Sequence, residues 1–364
     1  MSELSSGAFG DIPGQEHAGV GRHRLYDEDV SARLDELIAV TGMDPEVGDA
    51  RFVRDLILTS LKLHPDGRDR GELKLMSAAL KELRYAYKVF SQYPDVPKIS
   101  VFGSARTPED HPDYASCVEF SRRMAELGWG VITGAGDGIM KAGHEGPGAE
   151  SSFGLAISLP FETTANTVIQ GDPKLITFRY FFTRKLIFVS QCKAVAVFPG
   201  GFGTQDELFE VLTLIQTGKS SMAPIVLVEG AGGDYWKHWQ NYVENSLLGY
   251  EFISPEDLNL FKVCETPEEA AQHVAKFYSV YHSSRYVRDD IVIRLRAPLG
   301  EADVAALNEE FGELVREGEI VQRGPYEVER DHLELPRIAF THTRRKFGTV
   351  RRLIDRINEM GPAT

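Results

Sequence analysis

Apolar residues recur at three- and four-residue spacing through the first quarter of the chain. "DVSARLDELIAV", "DARFVRDLILTSLKL" and "ELKLMSAALKELRYAYKVF" each carry the apolar stripe of an amphipathic helix, so residues 25–95 are predicted to be a helical region. Two prolines in "SQYPDVP" end that pattern. From Lys98 the grammar changes. Short, nearly continuous apolar runs ("ISVFG", "WGVITG", "FGLAISLP", "AVAVFPG", "PIVLVEG") alternate with the helical stretches "DYASCVEFSRRMAELG", "GIMKAGHEG", "YFFTRKLIFVSQC" and "DELFEVLTLIQTG". Val- and Ile-rich runs ending in Gly or Pro suit a parallel sheet covered on both faces. The fold class expected is α/β: a doubly wound, Rossmann-like parallel sheet over residues 96–282, with a small α+β appendage over 283–364. In the appendage "DDIVIRLRAPL", "EIVQRG" and "RIAFTHTR" read as strands, and "EADVAALNEEFGELVREG" and "GTVRRLIDRINEM" as helices. Residues 1–24, rich in Gly and polar types, are expected to be mobile.

Charge and cysteine content narrow the partners. A formal charge of −14 over 364 residues argues against a nucleic-acid polymer or an anionic membrane surface. A phosphate ligand would need a local device against that field. Cys117, Cys192 and Cys264 are odd in number, far apart and without metal spacing, which points to a reducing compartment and no disulfide framework. The opening residues lack the basic region and apolar core of a secretory signal, and no run approaches the ~20 apolar residues of a membrane span. A cytoplasmic protein is expected.

The candidate chemistry collects where strands end in glycine-rich turns. In "AVFPGGFGTQDELFEVL" a buried strand meets Gly200, Gly201 and Gly203, which permit positive φ and close backbone approach. Successive N–H groups there can form an anion nest at the positive end of the following helix, with Thr204 placed to cap it. Glu207 falls in the first turn on this reading. Thr204-x-x-Glu207 fits a capping box, and spacing alone leaves Glu207 either as that cap or as a carboxylate beside an anion site. "VITGAGDGIM" supplies a second turn, with Gly134, Gly136, Asp137 and Gly138. No acidic residue stands at the end of the next strand for a ribose, Glu162 lying beyond Pro160, so a phosphate- or ribose-contacting loop is preferred to an NAD site, with a structural turn as the alternative. In "RYFFTRKLIF", Arg184 and Lys185 either snorkel to solvent or point one cation into the crevice. Gly103, Ser104 and Arg106, at the first strand's end, offer further anion contacts.

Together these residues resemble a known family. "PGGFGTQDE" is similar to the PGGxGTxxE signature of the LOG family, the cytokinin riboside 5′-monophosphate phosphoribohydrolases also labelled lysine decarboxylase-like. "FGSAR", "GAGDGIM", "LPFETTANTVI", "RK" and "GGDYW" follow in that family's order. The resemblance covers residues 96–280 and suits one of the longer bacterial members. Ala135 departs from the run of three glycines common in the family. The resemblance implies hydrolysis of a nucleotide's N-glycosidic bond to free base and ribose 5-phosphate, with Arg184 and Glu207 as the catalytic pair. It also implies a homo-oligomer, dimer or larger, with sites near a subunit interface.

Such a reaction passes through an oxocarbenium-like state that a carboxylate can stabilise, and calls for no cofactor and no metal. Substrate-binding residues on this reading are Gly103, Ser104, Gly134, Gly136, Asp137, Gly138, Lys185, Gly200, Gly201, Gly203 and Thr204. A pyridoxal-phosphate decarboxylase is rejected, since neither Lys185 nor Lys219 lies in a motif for a Schiff-base lysine. The alternative from another class is a non-catalytic carrier of a nucleotide or phosphorylated cofactor. The basic cluster Arg344, Arg345, Lys346, Arg351 and Arg352 is either a solvated face or a site for an anionic effector.

Overall fold

The computed structural model describes residues 28–44, 48–159 and 165–361; the expectation for residues 1–24 lies outside them, as does Glu162. The chain divides into two compact units between Glu82 and Leu83. The first holds α1 (Glu28–Val40), α2 (Ala50–Lys62) and the start of α3 (Arg70–Phe90). Leu34, Ile38 and Ala50 are buried, and Arg54 of α2 donates its Nε to Asp35 of α1 at 2.7 Å. Helical periodicity alone located these three elements.

In the second unit β1 (Lys98–Phe102), β2 (Gly130–Thr133), β3 (Ser152–Ile157), β4 (Leu175–Phe178), β5 (Ala194–Val197), β6 (Ile225–Val228) and β7 (Lys262–Cys264) form one sheet of order β4-β3-β2-β1-β5-β6-β7. Every pairing is parallel. The helices between them are α4 (Pro112–Glu126), α5 (Ile139–Glu145), α6 (Phe181–Gln191), α7 (Phe202–Gln216) and α8 (Tyr235–Tyr242), and α9 (Pro267–Phe277) follows β7. The five runs read from the sequence are strands. The two that were missed, β4 and β7, lie at the sheet's edges and are only four and three residues long, too short for a periodic signal.

Alternate strand residues enter different cores, as the two-residue period of a strand requires. Ile99, Val101, Val131 and Ala194 pack with Phe120 and Met124 on one face. Phe102, Ile132, Val195 and Val197 pack with Phe188 and Leu208 on the other. Both faces being covered explains why the central strands β1, β2, β5 and β6 are buried along their whole length.

The remaining elements are β8 (Tyr281–Val287), β9 (Asp290–Leu295), α10 (Glu301–Phe311), β10 (Val315–Arg323), β11 (Arg337–His342) and α11 (Phe347–Met360). The strands form an antiparallel sheet of order β10-β11-β9-β8. Its apolar residues Ile291, Ile293 and Leu295, and Leu353 and Ile354 of α11, join the same core as Leu208 of α7. The helix predicted through Gly318 is shorter: α10 ends at Phe311, one 3-10 turn covers Gly312–Leu314, and Val315 already pairs with His342 of β11. β8, "YHSSRYV", is too polar to have been read as a strand. Among the described residues no helix is long and apolar enough to cross a membrane.

Candidate active site

The chain runs from β1 outward to β4, then returns to place β5 on β1's other side. At such a switch point the loops leaving two neighbouring strands diverge and open a crevice at their carboxyl ends. The crevice here is a cavity of about 1270 Å³ lined by the turns after β1, β2 and β5 and by the first turns of α6 and α7.

Ser104 ties three turns together. Its N–H donates to the Pro199 carbonyl at 3.0 Å, and its carbonyl accepts from Ile139 N–H at 3.0 Å, linking the turns after β1, β5 and β2. The glycines fit these approaches. A Cβ on Gly138, whose φ is +59°, would stand 2.4 Å from the Ser104 carbonyl oxygen, and one on Gly200 would stand 2.1 Å from Thr204 Oγ1. The turn before α7 differs in detail from the expectation. Neither Gly200, Gly201 nor Gly203 has positive φ, and a Cβ on Gly201 or Gly203 would meet nothing within 4 Å. Those two are open toward a ligand, while Gly200 is a packing requirement.

Thr204 is not the helix cap. α7 begins at Phe202 with Gly201 at the N-cap, and no side chain caps it. Thr204 is therefore the third helical residue, Glu207 lies in the second turn, and the capping box does not form. The first N–H groups of α7 keep their partial positive charge with no side-chain oxygen spent on them. The chain enters α7 through Gly200, where a Cβ would stand 2.1 Å from Thr204 Oγ1, so a helix that starts three residues early requires glycine at this position.

Glu207 is 12% exposed, and its Oε2 is buried without a hydrogen-bond partner among the described residues. Burial pushes its carboxyl up to about 7, against the pull of Lys185 and Arg184, while Asp206 and Glu210 push it the same way as burial. Arg184, in the first turns of α6, also lines the cavity. Its Nε donates to the Leu155 carbonyl of β3 at 2.8 Å, and its Cζ lies 5.2 Å from the centre of the Phe188 ring. A Cβ on Gly134 would stand 2.2 Å from Arg184 Nη2, so this glycine makes room for the guanidinium.

Eleven of the fourteen candidate residues line the cavity: Gly103, Ser104, Arg106, Gly134, Gly136, Arg184, Gly200, Gly201, Gly203, Thr204 and Glu207. Asp137, Gly138 and Lys185 do not. Asp137 is exposed and Gly138 lies behind the turn, at the N-cap of α5. Lys185 meets the carboxylates of α7 instead.

Two sets of residues escaped the sequence reading. Tyr235 donates its hydroxyl to the Gly200 carbonyl at 2.6 Å and accepts from Gln205 Nε2 at 2.8 Å, bracing the turn before α7. "GGDYW" carried that tyrosine as a motif without a role. Behind the turn after β2 sits His144, fully buried. The Phe153 carbonyl, 3.1 Å from its Nε2, can only accept, so Nε2 carries the proton; Nδ1 then accepts from Asn166 Nδ2 at 3.2 Å. Asn166 in turn donates to the Gly136 carbonyl at 3.0 Å, and Thr133 Oγ1 accepts from Ala135 N–H at 3.0 Å while lying 3.0 Å from His144 Nε2. Burial lowers His144 to about 4, and the neutral ring is the form this network uses. The network holds Ala135, the departure from the glycine run, at a φ of 62°.

Among the described residues no group of three or more His, Cys, Asp or Glu is placed to hold a metal ion. The three cysteines are free, and burial pushes the Cys192 thiol up to about 11, far from a thiolate nucleophile. In the basic cluster Arg344 pairs with Asp289, Lys346 with Glu313 and Arg351 with Asp355.

Residues 134–274 match the family model described as "Possible lysine decarboxylase". A rice protein (Oryza sativa subsp. japonica) named "Probable cytokinin riboside 5′-monophosphate phosphoribohydrolase LOGL6" is 30% identical over 124 residues, 34% of this chain; the chain spans just under half, 46%, of that relative. A Mycobacterium tuberculosis protein named "Cytokinin riboside 5′-monophosphate phosphoribohydrolase" is 27% identical over 172 residues, 45% of this chain and 88% of the relative. Among solved structures, the molybdenum cofactor carrier protein of Chlamydomonas reinhardtii superimposes with a TM-score of 0.36 at 19% identity, covering 50% of this chain and 97% of that one. The resemblance to the LOG family is borne out by the family model and the two named relatives.

Proposed function

We propose that this protein is a nucleoside 5′-monophosphate phosphoribohydrolase, cleaving AMP-like or N6-modified adenosine monophosphates to free base and ribose 5-phosphate. The observation that carries the reading is Glu207: a carboxylate held in a cavity wall, neither capping its helix nor bonded at Oε2, beside a second charged residue, Arg184. A protein that only bound an anion would have no use for a buried carboxylate next to it.

The 5′-phosphate sits against the uncapped first turn of α7, where Gly201 and Gly203 leave the backbone open. Fixing the phosphate fixes C1′ of the ribose beside Glu207. As the C1′–N bond lengthens, positive charge grows on the sugar and the carboxylate stabilises it. A water attacks C1′ as the C1′–N bond breaks and its proton passes to Glu207; the departing base takes up a proton from solvent, and Glu207 returns its own to solvent. Arg184 binds the substrate or stabilises the leaving base. Gly134, Gly136 and the network behind them shape the ribose side. Exposed Phe181, Phe182 and Phe202 at the N-termini of α6 and α7 favour a homo-oligomer joined near this crevice; light scattering of the purified chain gives its mass, and a monomer contradicts that part.

The test is incubation of the purified protein with a panel of nucleoside 5′-monophosphates, the matching nucleosides and N6-prenyl-adenosine monophosphate, quantifying free base and ribose 5-phosphate. Release from monophosphates but not nucleosides is expected. Binding without release from any nucleotide contradicts the hydrolase and leaves the carrier.

A further inference from the structure

Lys185 was expected to touch the substrate, and it does not line the cavity. Its Nζ, on a side chain only 15% exposed, lies 2.7 Å from Asp206 Oδ2, 3.7 Å from Glu210 Oε2 and 4.0 Å from Glu207 Oε2. Asp206 and Glu210 are one helical turn apart on α7, and both are more exposed than Glu207. One ammonium thus ties α6 to α7 across three carboxylates, and the Oε2 it faces is the one without a hydrogen bond. Its hydrogen bond goes to Asp206; at 4.0 Å it acts on Glu207 as a charge.

We propose that Lys185 is a positioning residue for the reaction: it keeps Glu207 ionised and holds α6 against α7 so that Arg184 and Glu207 face one ligand. This rests on the hydrolase reading. The charged groups facing Glu207 are Lys185 and Arg184 from α6 and Asp206 and Glu210 from its own helix. Two cations oppose two anions and burial, so removing one cation tips the balance toward the neutral acid. Lys185 is the cation that can be replaced without altering the cavity wall, since Arg184 lines the cavity and is hydrogen-bonded to the Leu155 carbonyl.

The experiment is the pH profile of kcat/KM for Lys185→Met and Lys185→Arg beside wild type. The Met variant is expected to move the acidic limb upward by about one pH unit, losing about tenfold at pH 6 and recovering above pH 8 with KM little changed. The Arg variant keeps the wild-type limb. Asp206→Asn, which removes a neighbouring anion and leaves Lys185 closer to Glu207, moves the limb downward. An unmoved limb in the Met variant, with KM for monophosphates raised instead, overturns the proposal and makes Lys185 a phosphate ligand. The carboxyl ¹³C titration of Glu207, assigned by its loss in Glu207→Gln, reads the same shift without activity. If wild type releases no base while that titration moves on removing Lys185, the hydrolase reading fails and the charge coupling stands; an unmoved titration overturns the coupling itself.

Discussion

A buried carboxylate oxygen with no donor costs free energy that a folded protein keeps only for a reason. Glu207 bears that cost, and stability should report it. Its folded carboxyl stands near 7, above the ordinary 4.5 of an unfolded glutamate. A raised acid contributes stability that is fully present below pH 4.5 and lost as pH rises through about 7. Glu207→Gln should therefore melt higher than wild type at pH 8, by roughly 3 kcal/mol at most, and show no gain at pH 4. Equal melting at both pH values contradicts this assignment. The glycines separate in the same way. Gly134→Ala forces Arg184 aside and should cost activity on the order of 100-fold, whereas Gly201→Ala, with space around it, should leave stability within about 0.5 kcal/mol of wild type. Thermal melts and steady-state kinetics on the pair decide it. Arg184 and Glu207 were singled out as a pair by the family resemblance; spacing alone left Glu207 a helix cap or a site carboxylate and Arg184 a surface or a crevice cation. Their environment was not legible. Whether Thr204 caps or Gly201 does depends on a three-residue shift of the helix start, and the close approach of Gly200 to Thr204 and to Ser104, 96 residues earlier, that goes with it leaves no periodic signal.

At the scale of elements, the turn after β2 depends on side chains that lie on both sides of it in the chain. Thr133, His144 and Asn166 hold Ala135 and Gly136 from behind, and the ring of His144 is the hub. His144→Ala should loosen that turn, raising KM for a monophosphate about tenfold with a smaller change in kcat. An unchanged KM contradicts a binding role for the turn. Nothing in the sequence marked His144: a lone histidine on an apolar helix has no periodic signal, and its partners come from β2 and from the segment before β4. Strands with both faces buried were legible; outside them the outcome is uneven, with exposed β10 still read from "EIVQRG". β1 and β5 read as apolar runs; β4, β7 and β8 do not, because edge position or a solvent-facing side removes the pattern. α10 was read too long because "ELVREG" keeps helical spacing, and only pairing with β11 makes its residues from Val315 onward a strand.

At the scale of the molecule, the antiparallel sheet shares one core with the helix that carries Glu207. That sheet is pinned by a buried carboxylate between two arginines. Glu329 accepts from Arg294 Nη2 at 2.8 Å and lies 3.2 Å from Arg337 Nε, all three side chains being nearly inaccessible. Burial alone would raise Glu329, yet the Tyr326 N–H and the two arginines outweigh it and hold the carboxyl below its usual range. A depressed carboxyl contributes stability that is present above the ordinary glutamate range and lost as pH falls. Glu329→Gln should destabilise by about 3–5 kcal/mol at pH 7, seen as a lower Tm, and by less in acid. The pattern of strands and helices in this region suggested a small α+β unit; that its core runs on to α7 could not be read from periodicity, which reports the buried face of a helix but not its partner. The central claim concerns one side chain, and one paired assay tests it: AMP binding by calorimetry and base release by chromatography, on wild type and Glu207→Gln. The account predicts binding within a few-fold of wild type and release down by at least about 100-fold. Release that survives the substitution contradicts it.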